Sequence, residues 1–439
     1  MKKIVKFGGS SLASAEQFKK VGDIIRADES RKYVVPSAPG KRFSGDTKVT
    51  DMLYQCYTAA ENGERFVGLL DDIKARYDEI IKGLGLDLSL NDEFDVIRDN
   101  FANKAGKDYA ASRGEYLNGI IMAHYLGYDF IDAAEVILFD EKGQFDAVKT
   151  NEVLAKRLEE SERAVIPGFY GAMPDGTIKT FSRGGSDLTG SIVAKAARVD
   201  MYENWTDVSG FMIADPRIVS NPKSIDAITY KELRELSYMG ATVLHEDAIF
   251  PIRKEGIPIN IRNTNAPEDK GTLIVEATCR HPKYTITGIA GKQGFASITI
   301  EKAMMNSEIG FCRRVLQVFE DNNISIEHMP SGIDTMTVFV HQSEFEEKEQ
   351  KVLAGIHQLV QPDSIELESD LALIAIVGRG MRAKRGTAGN AFSALSKAHV
   401  NLKMIDQGSS ELNIVIGVRN HDFENAIKAL YDTFVTSKL

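Results

Sequence analysis

Lys2-Lys3-Ile4-Val5-Lys6-Phe7-Gly8-Gly9-Ser10-Ser11 opens the chain with a short apolar run that stops at two glycines. Ile4, Val5 and Phe7 predict a buried strand, and Gly8-Gly9 end it. Without a Cβ, the glycines let backbone N–H groups approach a ligand and let φ turn positive. Ser10 is placed to cap a helix over residues 15–26, whose amino terminus favours anions. Lys6 adds a cation at the strand exit, the end where open α/β sheets bind ligands. The set suits a polyphosphate, although taken alone a Gly-Gly pair after a strand is more often an ordinary tight turn. It is neither G-x-x-x-x-G-K-[ST] nor G-x-G-x-x-G.

The rest of the chain narrows the choice. With 439 residues it exceeds one ordinary core and predicts two or three domains. A net charge of −10 weighs against nucleic acid or an anionic membrane as partner. No apolar run reaches the length of a membrane span, and the one after Met1 is too short for a signal peptide. Cys56, Cys279 and Cys312 are far apart and form neither a metal pattern nor a disulfide framework, which predicts a cytoplasmic setting. No His-Glu-x-x-His occurs, and no metal held by protein side chains is expected.

Up to about residue 280, short apolar runs alternate with helical patterns, predicting an α/β domain with a largely parallel sheet. The expected strands are 4–7, 33–36, 130–132, 164–167, 201–205 and 257–261, with a helical excursion between Thr50 and Tyr125. From about residue 295 the chain repeats itself at an offset of 76 residues, as Leu373 lies from Ser297. Ser297–Ile300 returns as Leu373–Ile376, Gly310 as Gly386, Asn323–Ile326 as His399–Leu402 and Thr337–Val340 as Asn413–Ile416. Each copy reads β-α-β-β-α with room for a final strand, the ferredoxin-like order.

A second chemistry-bearing segment is Phe181-Ser182-Arg183-Gly184-Gly185-Ser186-Asp187, between a strand over 177–181 and an amphipathic helix. Arg183 offers a fork for a carboxylate, and Ser186 or Asp187 can cap the helix. Further small-residue turns and charged motifs follow strands at Ser37-Ala38-Pro39-Gly40, Trp205-Thr206-Asp207-Val208 and Asp215-Pro216-Arg217. Ser112-Arg113-Gly114-Glu115 starts an apolar helix, where Glu115 also reads as an ordinary first-turn charge.

These motifs, with Gly168-Phe169-Tyr170-Gly171, stand in the order found in aspartate kinases, and the chain resembles that family over essentially its whole length. The resemblance implies an α/β amino-acid-kinase domain over 1–282, its mostly parallel sheet flanked by helices. Two ferredoxin-like βαββαβ (ACT) domains then follow over 283–368 and 369–439, with strands exchanged between them. It implies transfer of the γ-phosphoryl group of ATP, with Mg²⁺, to the β-carboxylate of L-aspartate. By resemblance Lys6 and Asp187 are catalytic. Ser37, Thr50, Glu115, Phe169, Arg183 and Ser186 bind aspartate, with Arg183 on the α-carboxylate and Glu115 on the α-ammonium. Gly8, Gly9, Ser10, Thr206, Asp207, Asp215 and Arg217 bind the nucleotide. Met304, Gly310, Phe311, Ser325, Ile326 and Glu327 correspond to the segment that binds an end-product effector, lysine and/or threonine. The ACT pair implies a homodimer or a dimer of dimers.

Some residues depart from the family pattern. Thr242 stands in place of a lysine in Gly240–Glu246, Met212 replaces a tyrosine, and the loop over 41–48 is long enough for Thr47 to compete with Thr50. Glu327 reads equally as an effector ligand or as a solvated strand-end charge. His341 reads as solvated surface, and Met304 and Cys312 as core. Two rival functions remain, an amino-acid sensor on the same fold and a kinase for another amino acid.

Overall fold

The computed structural model describes residues 1–182, 184–241, 244, 246–277 and 283–437. Two compact units result, one of Met1–Phe211, Ser224–Tyr230 and Val243–Thr278, the other of Met212–Lys223, Lys231–Thr242 and Cys279–Leu439. Among the described residues, no helix is long and apolar enough to cross a membrane.

The first unit begins with β1 (Lys3–Phe7), α1 (Ala15–Arg26) and β2 (Arg31–Pro36). The helical excursion follows as α2 (Val49–Glu61), α3 (Val67–Leu84), α4 (Asn91–Ala102) and α5 (Lys107–Leu126). Next come β3 (Asp129–Phe130), α6 (Ala133–Val136), α7 (Ala147–Glu159), β4 (Ala164–Val165), β5 (Tyr170–Ala172), β6 (Ile178–Thr180), α8 (Gly185–Ala196) and β7 (Met201–Thr206). β8 (Ala227–Thr229), α9 (Tyr230–Tyr238), α10 (Phe250–Arg253), β9 (Ile259–Asn263) and β10 (Thr272–Val275) complete this stretch of chain.

Eight strands form one sheet in the order β3-β4-β2-β1-β7-β9-β10-β8, parallel except where β10 meets β9. β1 is central, with Ile4, Val5 and Phe7 fully buried, as a parallel strand covered on both faces requires. The chain moves from β1 to β2 on one side and later to β7 on the other. This reversal of direction opens a crevice at the carboxyl ends of these strands. Leu53, Ile73, Tyr77, Phe94, Phe101, Leu117 and Ile121 from the excursion helices join Val5, Phe18 and Val34 in one core.

Capping differs from the sequence expectation. Residues 9–12 form a 3₁₀ turn, so Ser10 lies too far back, and Ser14 caps α1 by accepting the Gln17 N–H. At α8 the N-cap is Gly184, left-handed at φ 56°, and Ser186 and Asp187 fall inside the first turn.

The second unit carries β11 (Gly288–Glu301), α11 (Phe311–Asp321), β12 (Ile326–His328), β13 (Thr335–His341), α12 (Gln342–Glu346), α13 (Glu349–Val360) and β14 (Ser364–Val377). α14 (Thr387–Lys397), β15 (Met404–Asp406), β16 (Asn413–Arg419) and α15 (Phe423–Tyr431) follow. The strands make one antiparallel sheet, β12-β13-β11-β14-β16-β15. β11 and β14 are the repeated strands, and each serves both copies. Phe295–Glu301 pairs with β13, while Gly288–Gln293 pairs with Ala372–Val377 of the other repeat. The repeated glycines match in conformation, since Gly310 and Gly386 cap α11 and α14 at φ 79° and 83°. From Lys231 on, α9 belongs to this second unit, where fully buried Glu232 accepts from the Thr287 hydroxyl at 2.6 Å and the Arg379 guanidinium at 2.8 Å.

Candidate active site

Four adjacent strands of the first unit end at the crevice, and each delivers part of the expected site. β4 leads to Phe169, β2 to Ser37, β1 to Gly8 and β7 to Thr206. Lys6 and Asn204 are register partners on β1 and β7, and both reach Asp187 in the first turn of α8. Lys6 Nζ lies 2.6 Å from Asp187 Oδ1, and Asn204 Nδ2 donates to the same oxygen at 2.8 Å. The Tyr202 hydroxyl donates to the Asp187 carbonyl at 3.2 Å. Lys6 is thus held by a carboxylate that is itself held. Asn204 and Tyr202 carry no motif, so the sequence offers only their alternation on β7 as a sign of them.

Of the two glycines, Gly9 is the one needed for close packing. Neither Gly8 nor Gly9 has positive φ, and the Gly8 N–H is already given to the Trp205 carbonyl at 3.0 Å. A Cβ on Gly9 would sit 2.8 Å from the Ala38 carbonyl, and the Gly40 N–H donates to the Gly9 carbonyl at 2.8 Å. The β1 and β2 exits are therefore locked backbone to backbone. The first N–H groups of the turn at Gly9 and Ser10 have no acceptor inside that turn, which leaves them suited to an anion.

On the other side, Phe169 is strained at φ 82°, rare for a bulky residue. Its N–H donates to Thr189 Oγ1 at 3.0 Å, and its ring lies where a Gly185 side chain would be, 2.4 Å from an added Cβ. Ser186 packs equally tightly on Gly168. Arg183 and Thr242 lie outside the described residues, as do Cys279 and His245.

Glu115 projects from α5 and is 6 % exposed. Burial pushes its carboxyl up to about 8, against the pull of the Ala38 N–H, its own N–H and Lys6. Its Oε2 has no hydrogen-bond partner among the described residues. The loop over 41–48 is strapped by Arg76 of α3, which donates to the Thr47 carbonyl at 2.6 Å and the Gly40 carbonyl at 2.8 Å. Thr50 is half-buried at the start of α2, whereas Thr47 is exposed.

Thr206 and Asp207 follow β7, with the Thr206 hydroxyl 3.2 Å from Asp207 Oδ1. Asp215 and Arg217 belong to the second unit, where they pair at 2.6 Å.

Also in the second unit, Met304 and Cys312 are exposed rather than core, because the apolar stripe of α11 runs through Phe311, Val315, Val318 and Phe319. Ser325 is exposed and Ile326 half-buried. The Glu327 side chain is only 6 % exposed, so it is no solvated charge. Its oxygens meet the Tyr238 hydroxyl at 2.7 Å and His341 Nε2 at 3.3 Å, and His341 stacks on Phe295 rather than facing water alone.

With this geometry, comparison with known proteins is direct. Residues 1–263 match the amino acid kinase family and residues 374–434 match an ACT domain family. The chain is 40% identical to aspartokinase 3 of Bacillus subtilis, covering 100% of this chain and 99% of the relative. It is similar to the crystal structure of Clostridium acetobutylicum aspartate kinase, at TM-score 0.91 and 52% identity, over 99% and 100% of the two chains. Escherichia coli aspartokinase III, solved with aspartate and ADP, matches at TM-score 0.74 and 26% identity over 100% of both chains. The same enzyme with lysine and aspartate matches at TM-score 0.75 and 25% identity over 99% of both. A parallel sheet that gathers Lys6, Asp187 and Glu115 around one crevice, and full-length similarity at this level, lead to one assignment: the chain belongs to the aspartokinases, ATP-dependent aspartate kinases of the amino acid kinase family.

Proposed function

We propose that the enzyme transfers the γ-phosphoryl group of ATP to the β-carboxylate of L-aspartate, giving β-aspartyl phosphate. The acceptor carboxylate, with an ordinary value of about 3.9, is ionised at neutral pH and needs no general base. The work left to the protein is to hold two anions in line and to neutralise the group in transit. Lys6 supplies that charge, Asp187 orients it, and Gly8, Gly9 and Ser10 with Thr206 and Asp207 hold the nucleotide. Mg²⁺ falls mostly to phosphate oxygens and water, which suits an ion that dehydrates reluctantly. When bound it supplies further charge neutralisation.

The observation that carries this reading is Glu115. A buried carboxylate with an unpartnered oxygen is costly unless a cation meets it, and the α-ammonium of an amino acid is such a cation. Arg183 takes the α-carboxylate, and Ser37, Thr50, Phe169 and Ser186 line the rest. Incubation with MgATP and L-aspartate, trapping acyl phosphate with hydroxylamine, tests it, and the absence of hydroxamate would overturn it.

The catalytic domain spans 1–282 and the ACT domains 283–368 and 369–439. Met304, Gly310, Phe311, Ser325, Ile326 and Glu327 form the effector site in a cytoplasmic homodimer or dimer of dimers. Lysine is the first effector to test, since the E. coli relative was solved with it; threonine is the second. Titrating activity against each, alone and together, decides between them.

A further inference from the structure

Asn118 lies one turn beyond Glu115 on the same face of α5 and is fully buried. Its Nδ2 donates to the Ser37 carbonyl at 2.6 Å. A carbonyl can only accept, so this bond fixes the amide orientation and turns Oδ1 away from it. Oδ1 has no partner among the described residues, as is true of Glu115 Oε2. The Ser37 carbonyl and the Ala38 N–H belong to one peptide group, and that N–H pulls the Glu115 carboxyl down. Asn118 therefore holds one edge of a single peptide at the β2 exit while Glu115 interacts with the other. Close packing of helix and turn permits this, since a Cβ on Gly114 would lie 2.7 Å from the Ala38 Cβ.

A buried acceptor without a donor costs about 1–3 kcal/mol, and once Glu115 is ionised, two such acceptors one turn apart on a helix face call for a common donor. An ammonium carries three N–H groups and can serve both. We propose that Asn118 is a further substrate-binding residue, which joins Glu115 as a pair of buried acceptors for the α-ammonium of the amino-acid substrate. This rests on the aspartate kinase reading above. It makes the site selective for a free amine: an acylated nitrogen has one N–H at most and cannot serve both oxygens, and an amine-free dicarboxylate serves neither.

The test compares L-aspartate with succinate, its amine-free analogue, in the wild type and in Asn118→Ala. The KM for L-aspartate should rise about tenfold or more, the value of a hydrogen bond to a charged group. The inhibition constant of succinate and the KM for ATP should change less than about twofold on the same principle. If aspartate and succinate weaken together, Asn118 only shapes the turn and the inference fails. It fails equally if neither changes. Asn118→Ser carries the same expectations should the alanine variant not fold. A wild type that makes no hydroxamate from L-aspartate would instead sink the kinase reading, so the two failures are distinguishable.

Discussion

Replacing Glu115 with Gln should stabilise the empty enzyme while crippling its use of aspartate. The carboxyl rises from 4.5 to about 8 in the fold because burial penalises its charge. A raised carboxyl means that the folded chain holds its proton more tightly than the unfolded chain. The stability tied to that proton is complete below pH 4.5, drains away as pH rises, and is gone above about pH 8. At about 1.4 kcal/mol per tenfold step in proton affinity, the loss is about 3 kcal/mol at pH 7 and about 5 kcal/mol above pH 8. Glutamine keeps the shape and never ionises. Melting curves without ligand should place Glu115→Gln several degrees above the wild type at pH 8, with the gap nearly closed at pH 5. The same change removes the counter-charge for the ammonium, so kcat/KM for aspartate should fall by about a hundredfold or more. Wild-type aspartate binding near pH 7 should release close to one proton, read by calorimetry in buffers of different ionisation enthalpy. Parallel melting profiles for the two proteins, or unaltered aspartate binding by the variant, would refute the reasoning.

Lys6→Ala should lower kcat by about a hundredfold to a thousandfold, the usual cost of losing one donor to transition-state charge, with a native circular dichroism spectrum. A folded variant with near-normal kcat would remove Lys6 from the mechanism. Gly9→Ala drives a methyl to 2.8 Å from the Ala38 carbonyl, so urea unfolding should show a loss of about 1–3 kcal/mol and the KM for ATP should rise. An unchanged KM would mean that the lock between β1 and β2 does not shape the nucleotide site. In the second unit, the Tyr238 hydroxyl occupies Glu327, a residue of the proposed effector site whose carboxylate suits a lysine ammonium. Tyr238→Phe should free that oxygen and lower the half-inhibitory concentration of lysine about fivefold, and an unchanged value would exclude the competition.

Much of this was legible in the residues because the signals are local. An apolar run stopped by Gly8-Gly9 predicts a strand exit wherever it occurs, and α1 spans the expected residues 15–26. The 76-residue repeat likewise announced two copies of one unit, since each copy encodes its own turns and amphipathic faces. Where the reading failed, the deciding partner was remote or local geometry intervened. Ser10 could not cap α1 because a 3₁₀ turn used up the spacing, and Asp187 turned to Lys6 instead of capping α8. His341 looked like surface until Phe295 and Glu327 came beside it.

The sequence by itself determined the kind of chemistry: a cation and glycines at one strand exit, an arginine and glycines at another, and a duplicated regulatory tail. The tertiary structure alone decided which of those groups are still free to act. The Gly8 N–H is spent on Trp205, Glu327 on Tyr238 and His341, and the repeats trade halves of β11 and β14. Glu115 and Asn118 each keep an oxygen with no partner among the described residues. Residue type states what a group can bond to, but whether it is already bonded depends on strands and helices distant in the chain, and only the packed fold brings those together.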